Sequence, residues 1–278
     1  MQSTGEKINI GTTLEIAASR KAGKKTFGLH AEPPAVSRVL GMPITLAVVI
    51  PTYNERENIF PLLNALEKAL AGIAWEVIFV DDNSPDGTAE RIRRVSVGDR
   101  RVRVLERIAR LGLSSACIAG MLATPAPYIA VMDGDLQHDE TVLPAMLDRI
   151  KSDRLDIVIG SRNMQDGSMG EFARRRVWMS KLGTKLSRLI CPREVSDTMS
   201  GFFLVDRAFF RRVAPRLSGI GFKLLVDLLA SSPKSVRVAE VPYHFRNRQR
   251  GESKLNVRIS LGYLYLLLRK VVRTRFAT

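Results

Sequence analysis

From residue 44 the chain alternates short, almost uninterrupted apolar runs with segments of helical spacing. The runs are Leu46–Ile50, Glu76–Val80, Val102–Leu105, Tyr128–Met132 and Asp156–Ile159. A strand with one wet face alternates apolar and polar residues. Strands without that alternation are buried on both faces, as in parallel sheets covered by helices. Helical spacing over Glu57–Ala71, after Asp86-Gly87 with Thr88 as the expected cap, over 114–123 and over Glu140–Lys151 supplies those helices. The expectation is an α/β fold on a mostly parallel sheet. After residue 160 the order changes. A long basic helix is expected over Glu171–Ile190 and an extended run over Ser200–Val205. Helices over 206–214 and 221–231, a strand over Val236–Tyr243, a polar loop over Asn247–Ser253 and a last helix over 255–276 follow.

In such sheets ligands bind outside the carboxyl ends of the strands, and the polar motifs sit there. Pro51-Thr-Tyr-Asn-Glu55 follows the first run and Asp81-Asp-Asn-Ser-Pro-Asp-Gly87 the second. Asp133-Gly-Asp-Leu-Gln137 follows the fourth and Gly160-Ser-Arg162 the fifth. Asp133 and Asp135, one residue apart, suit a divalent cation bound to a diphosphate, because hard cations take oxygen ligands and share them with substrate phosphates. Gln137 adds a neutral oxygen. The same residues would also serve an ordinary turn, as would Asp86-Gly87. Glu55 and Asp82 are acceptors suited to a base or ribose, although Asp82 could equally cap a helix and Tyr53 could be a core aromatic.

Together with Asp197-Thr-Met-Ser-Gly-Phe-Phe203 and Arg250-Gly-Glu-Ser-Lys-Leu255, this ordered set resembles the inverting family 2 glycosyltransferases of the GT-A fold. Within them it resembles the dolichol- and polyprenol-phosphate mannose synthases over about residues 44–258. The resemblance implies a GDP-mannose donor, a polyprenyl or dolichyl phosphate acceptor in a membrane, and a Mg²⁺ or Mn²⁺ cofactor. It implies that Pro51, Tyr53, Glu55, Val80 and Asp82 hold the nucleoside. Asp133, Gly134 and Asp135 would face the diphosphate and sugar, with Asp135 and Gln137 on the metal. Arg162, Arg248 and Lys254 would bind the donor's phosphates. Arg162 would also meet the acceptor phosphate, with Arg176 and Ser180, which are spaced i, i+4. Catalysis would rest on Asp133, Asp135 and Arg162. Two features depart from the pattern: many relatives carry Ala at position 134, and many microbial relatives continue into membrane-spanning helices. The second implies either membrane-anchoring partner subunits or a longer chain.

The formal charge of +15 is local. Residues 171–193 hold seven basic side chains and one acidic, and residues 243–278 nine and one. Basic patches of this kind attract anionic lipid or phosphorylated substrates. A nucleic-acid module would share the charge but not the acidic motifs at strand ends, and no recognition motif is present. A dinucleotide oxidoreductase would need a Gly-x-Gly-x-x-Gly turn after the first strand. The donor could also be UDP-glucose, since the Asp-x-Asp pair does not encode the base. No run reaches the roughly 20 apolar residues of a spanning helix. The organisation expected is a disordered basic extension over 1–43, a catalytic domain over 44–254 and an amphipathic membrane-interface helix over 255–278. That places the protein peripherally on the cytoplasmic face of a membrane. Cys117 and Cys191 are expected to be packing thiols. His138 is expected to lie behind the site or on the surface.

Overall fold

A computed structural model describes residues 43–109, 111–162 and 195–246. The expectations for 1–42, for the basic helix near 171–190 and for the terminal helix lie outside these residues, as do Arg176, Ser180, Cys191, Arg248 and Lys254.

Seven strands form one sheet: β1 (Leu46–Thr52), β2 (Trp75–Asp81), β3 (Val102–Glu106), β4 (Tyr128–Val131), β5 (Ile157–Arg162), β6 (Phe203–Asp206) and β7 (Val238–Tyr243). Their spatial order is β3-β2-β1-β4-β6-β5-β7. All lie parallel except β6, which runs antiparallel between β4 and β5. The helices are α1 (Ile59–Ala69), α2 (Thr88–Gly98), α3 (Leu113–Leu122), α4 (Leu143–Ser152), α5 (Arg207–Val213) and α6 (Leu224–Ser231). Single 3₁₀ turns at Arg56–Asn58 and Glu140–Val142 start what the sequence shows as longer helices.

The unbroken apolar runs behave as their composition requires. Every residue of β2 is buried, as is every residue of β1 except the partly buried Pro51. Alternate positions serve opposite layers. Val49, Ile78 and Val80 pack under α3 and α6, whereas Val48, Ile50 and Phe79 pack against α1 and α4. Cys117 lies within the first layer as a buried thiol, in keeping with a packing role. Among the described residues no helix is long and apolar enough to cross a membrane.

Contact between α3 and the sheet depends on Gly120. A methyl group there would sit 2.5 Å from Val49 Cγ1 and 2.8 Å from Val80 Cγ2. Neither neighbour can yield, because both belong to strands buried on both faces. Gly120→Val should therefore lower stability by about 1–3 kcal/mol through overpacking, read as a lower melting temperature. An unchanged melting temperature would contradict this packing.

The chain proceeds outward from β1 to β2 and β3, then returns to lay β4 on the other side of β1. In open α/β sheets, the ligand crevice is expected where strand order reverses in this way. It lies at the carboxyl ends of β1 and β4, which carry Pro51–Glu55 and Asp133–Gln137.

Candidate active site

The β1 and β2 loops are tied to one another. Asp81 accepts hydrogen bonds from Thr52 Oγ1 (3.1 Å), Ser84 N (2.8 Å) and Ser84 Oγ (2.6 Å). Asn54 N donates to Ser84 Oγ, Glu55 N to Thr88 Oγ1 and Arg56 N to Asp86 Oδ2. Asn54 and Asn83 take left-handed backbone angles, which Asn tolerates better than most residues. Thr88 is not the cap of α2, as the sequence suggested. Gly87 occupies that position with φ 83°, and Asp86 accepts from Thr88 N and Oγ1. Asp86-Gly87 thus serves the turn, as expected.

Tyr53 and Glu55 are partly exposed on this frame, and Glu55 Cγ lies 3.8 Å from where a Cβ of residue 134 would be. Val80 does not present its side chain there. Its side chain is buried in the layer beneath α3, so only its backbone lies near the strand end. Asp82 is buried as well. Its carboxylate accepts from Leu111 N (3.0 Å) and Gly112 N (2.9 Å), and Arg107 Nη1 lies 3.1 Å away. It therefore fixes the segment that leads into α3, a structural role that the sequence left open beside ligand binding.

On the β4 side, Gly134 has its missing side chain directed at β1. A Cβ there would meet Ile50 Cγ2 at 3.3 Å and Thr52 Cγ2 at 3.6 Å. The small residue lets Asp133 and Asp135 sit beside the Pro51–Glu55 loop, and an alanine would require a shift of only a few tenths of an ångström. Leu136, between the two expected metal ligands, has φ 63°. Left-handed angles in a bulky residue cost free energy and cluster at functional sites. Here the turn brings Gln137 N to 3.1 Å from Asp135 Oδ1, and burial of the Leu136 side chain helps offset the cost.

His138 is interior, not superficial. It stacks on Phe202 with ring centroids 5.3 Å apart and meets Tyr243 and Phe245 edge-on. Its Nδ1 accepts from Asp133 N (3.1 Å), which leaves the proton of the neutral ring on Nε2, 3.8 Å from Asp133 Oδ2. Burial holds its pKa below the ordinary value, against the pull of Asp133 and Asp135. The ring thus orients the Asp133 segment without carrying charge.

Arg162, at the end of β5, is gripped by Asp197. Its Nε and Nη2 donate to the two carboxylate oxygens, each at 2.8 Å. These bonds raise the Arg162 pKa against the opposing effect of burial. Burial pushes Asp197 upward, but hydrogen bonding and the charge of Arg162 outweigh it, so Asp197 lies below the usual carboxylate range. Asp197 is held in turn by Glu240 of β7, whose carboxylate accepts from Ser196 N and Asp197 N.

Residues without an assigned role in the sequence complete the surroundings. Arg246 clamps the segment after Gln137. Its guanidinium donates to Glu140 (2.7 Å) and Asp139 (2.6 Å), while Arg246 N donates to Gln137 O and Gln137 Nε2 to Arg246 O. Lys223, immediately before α6, donates from Nζ to Met199 O at 2.9 Å. Burial and the nearby Arg162 charge push its pKa down to about 8, although Asp133 and Asp197 oppose the shift. A charged residue directly ahead of Leu224-Leu-Val226 was the available sequence signal for Lys223.

The donor set suits a hard cation only in part. Among the described residues no group of three or more His, Cys, Asp or Glu side chains is placed to hold a metal alone. The Asp135 carboxylate and the Gln137 amide oxygen, with Asp133 adjacent, fit a cation that completes its shell with diphosphate oxygens and water.

An open, mostly parallel sheet with its acidic pair at the point of strand reversal has a recognised counterpart: residues 47–214 match glycosyl transferase family 2, and the chain belongs to that family. Within it, the chain is 39% identical over 221 residues to the dolichol-phosphate mannosyltransferase of Pyrococcus furiosus, covering 79% of this chain and 61% of that protein. It thus spans less than two thirds of the archaeal relative's length. Dolichol-phosphate mannosyltransferases of Mycosarcoma maydis and Saccharomyces cerevisiae are 33% and 32% identical. The alignments cover 84% and 81% of this chain, and 80% and 86% of those proteins. The GT-A type of fold also appears in solved structures of low identity. Glucosyl-3-phosphoglycerate synthase from Mycobacterium tuberculosis, in complex with Mn²⁺, UDP and phosphoglyceric acid, superposes with TM-score 0.59 at 17% identity, covering 82% of this chain and 78% of that one. A Pyrobaculum calidifontis mannosyltransferase in complex with GDP-Man and Mn²⁺ gives 0.53 at 17% identity, covering 74% and 59%.

Proposed function

We propose that the chain transfers mannose from GDP-mannose to a membrane polyprenyl or dolichyl monophosphate with inversion at the anomeric carbon. The observation that carries this reading is the placement of the Asp133–Gln137 segment beside the β1 loop, with the clamped Arg162 at the end of β5 near enough for its charge to act on Asp133. The relatives' activity gives the reading its substrates.

In this reading Pro51, Tyr53, Glu55 and Asp82 bind the nucleoside, with Val80 contributing backbone only. Asp133 and Gly134 face the sugar and diphosphate, while Asp135 and Gln137 hold Mg²⁺ or Mn²⁺. When bound, that cation offsets charge on the departing diphosphate. Arg162, with Arg248 and Lys254, neutralises phosphate oxygens, and Arg162, Arg176 and Ser180 take the acceptor phosphate. An acceptor phosphate oxygen is already largely anionic near neutral pH, so no general base is required. It bonds to the anomeric carbon as the bond from that carbon to the diphosphate oxygen breaks. The electron pair leaves with GDP. Peripheral binding at the cytoplasmic face of a membrane follows from the acceptor and from the basic segments 171–193 and 243–278.

The test is incubation with labelled GDP-mannose and a polyprenyl phosphate, with unlabelled UDP-glucose as competitor. Label should enter the organic phase and resist competition by UDP-glucose. Label that remains aqueous, or that is displaced by UDP-glucose, would overturn the proposal.

A further inference from the structure

We propose that Lys223 is an acceptor-binding residue, its ammonium sharing the phosphate monoester with the Arg162 guanidinium; this rests on the function proposed above. Three observations support it. The first is position. Lys223 immediately precedes α6, and its ammonium donates a hydrogen bond to the Met199 carbonyl. That carbonyl belongs to the turn that leads to Gly201, where a Cβ would lie 3.2 Å from Asp133 Oδ2. The turn thus brings Lys223 to the flank of the acidic pair, on the Arg162 side.

The second observation is charge balance. Both Asp197 oxygens are taken up by Arg162. Lys223 has no ion pair among the described residues, and a carbonyl neutralises no formal charge. The Arg162–Asp197–Lys223 group therefore retains one positive charge beside Asp133. Third, the ammonium is held where burial penalises its charged form. A buried cation of this kind is more economically explained by an anion that enters than by the anchoring of one carbonyl, since a neutral donor would anchor it equally well. A phosphate monoester supplies that anion and has oxygens for both cations. Arg suits two parallel contacts and Lys a single point contact.

The experiment separates charge from anchoring. Lys223→Gln keeps a donor for Met199 O and removes the charge, whereas Lys223→Arg keeps the charge. With a short, water-soluble prenyl phosphate such as citronellyl phosphate, Lys223→Gln should raise the acceptor KM about 10- to 100-fold, the loss expected for one charge-assisted hydrogen bond. The KM for GDP-mannose and the melting temperature should stay unchanged, and Lys223→Arg should recover most of the acceptor affinity. An unchanged acceptor KM, or an equal loss of GDP affinity, would overturn the inference. Calorimetric titration of the GDP-bound enzyme with citronellyl phosphate is the second readout. Wild type that binds the ester but transfers no mannose would overturn the function proposed above and leave Lys223 to be decided by the same titration. Wild type that does not bind the ester would overturn the assignment of Lys223.

Discussion

Asp135→Ala should abolish almost all sugar transfer while leaving the fold intact, a loss of roughly 10²–10³-fold by analogy with removal of one preorganised charge-stabilising group. The carboxylate lies just past Asp133 in the sequence and accepts a hydrogen bond from Gln137 N. Its removal loses that one hydrogen bond, worth about 0.5–1.5 kcal/mol, so the melting temperature should fall by only a few degrees. Initial rates measured across a titration of Mg²⁺ or Mn²⁺ would show whether higher cation concentration partly restores the variant. Wild-type turnover that persists in excess chelator would reject the cation-binding role outright.

Arg162→Ala should be nearly as severe, for two separable reasons. The phosphate loses a charge-assisted contact worth about 1.5–3 kcal/mol, or roughly 10- to 150-fold in rate. In addition, Asp197 loses its ion-pair partner and remains a mostly buried carboxylate, with the more distant Lys223 as the cation nearby. Removing one partner of a buried pair costs several kcal/mol; the cost here is smaller because the Arg162 side chain is 34% exposed. The double variant Arg162→Ala with Asp197→Asn should therefore regain stability but not activity. Restored activity in the double variant would mean that Arg162 serves only to neutralise Asp197.

The sequence displayed the strands of the sheet and the positions of the motifs because both arise from local pattern. Unbroken apolar runs require two covered faces, and polar residues at their ends must emerge at an edge. Strand direction has no such signature. Ser200–Val205 reads as extended, but nothing in it reveals that β6 runs antiparallel between β4 and β5. Nor does sequence spacing reveal which oxygen is already in use. Asp82 resembles a ligand residue, yet it also accepts from the backbone at Leu111 and Gly112, some 30 residues downstream. Val80 lies at the right strand end, but the pleat turns its side chain into the core. The Glu240–Asp197–Arg162 series was hidden for the same reason, since its members come from β7, the turn before β6 and β5. His138 follows Gln137 in a polar motif, which left a place behind the site and a place on the surface both open; stacking on Phe202 decides for the first.

The most direct test of the account is the anomeric configuration of the product. GDP-mannose carries an α linkage, and displacement by a phosphate oxygen in a single in-line step must give a β-mannosyl phosphate. The product of wild-type enzyme with citronellyl phosphate, purified and examined by NMR through the one-bond carbon–hydrogen coupling at the anomeric position, should be the β anomer alone. An α-linked product would contradict direct displacement, and free mannose in place of a phosphate ester would contradict the acceptor.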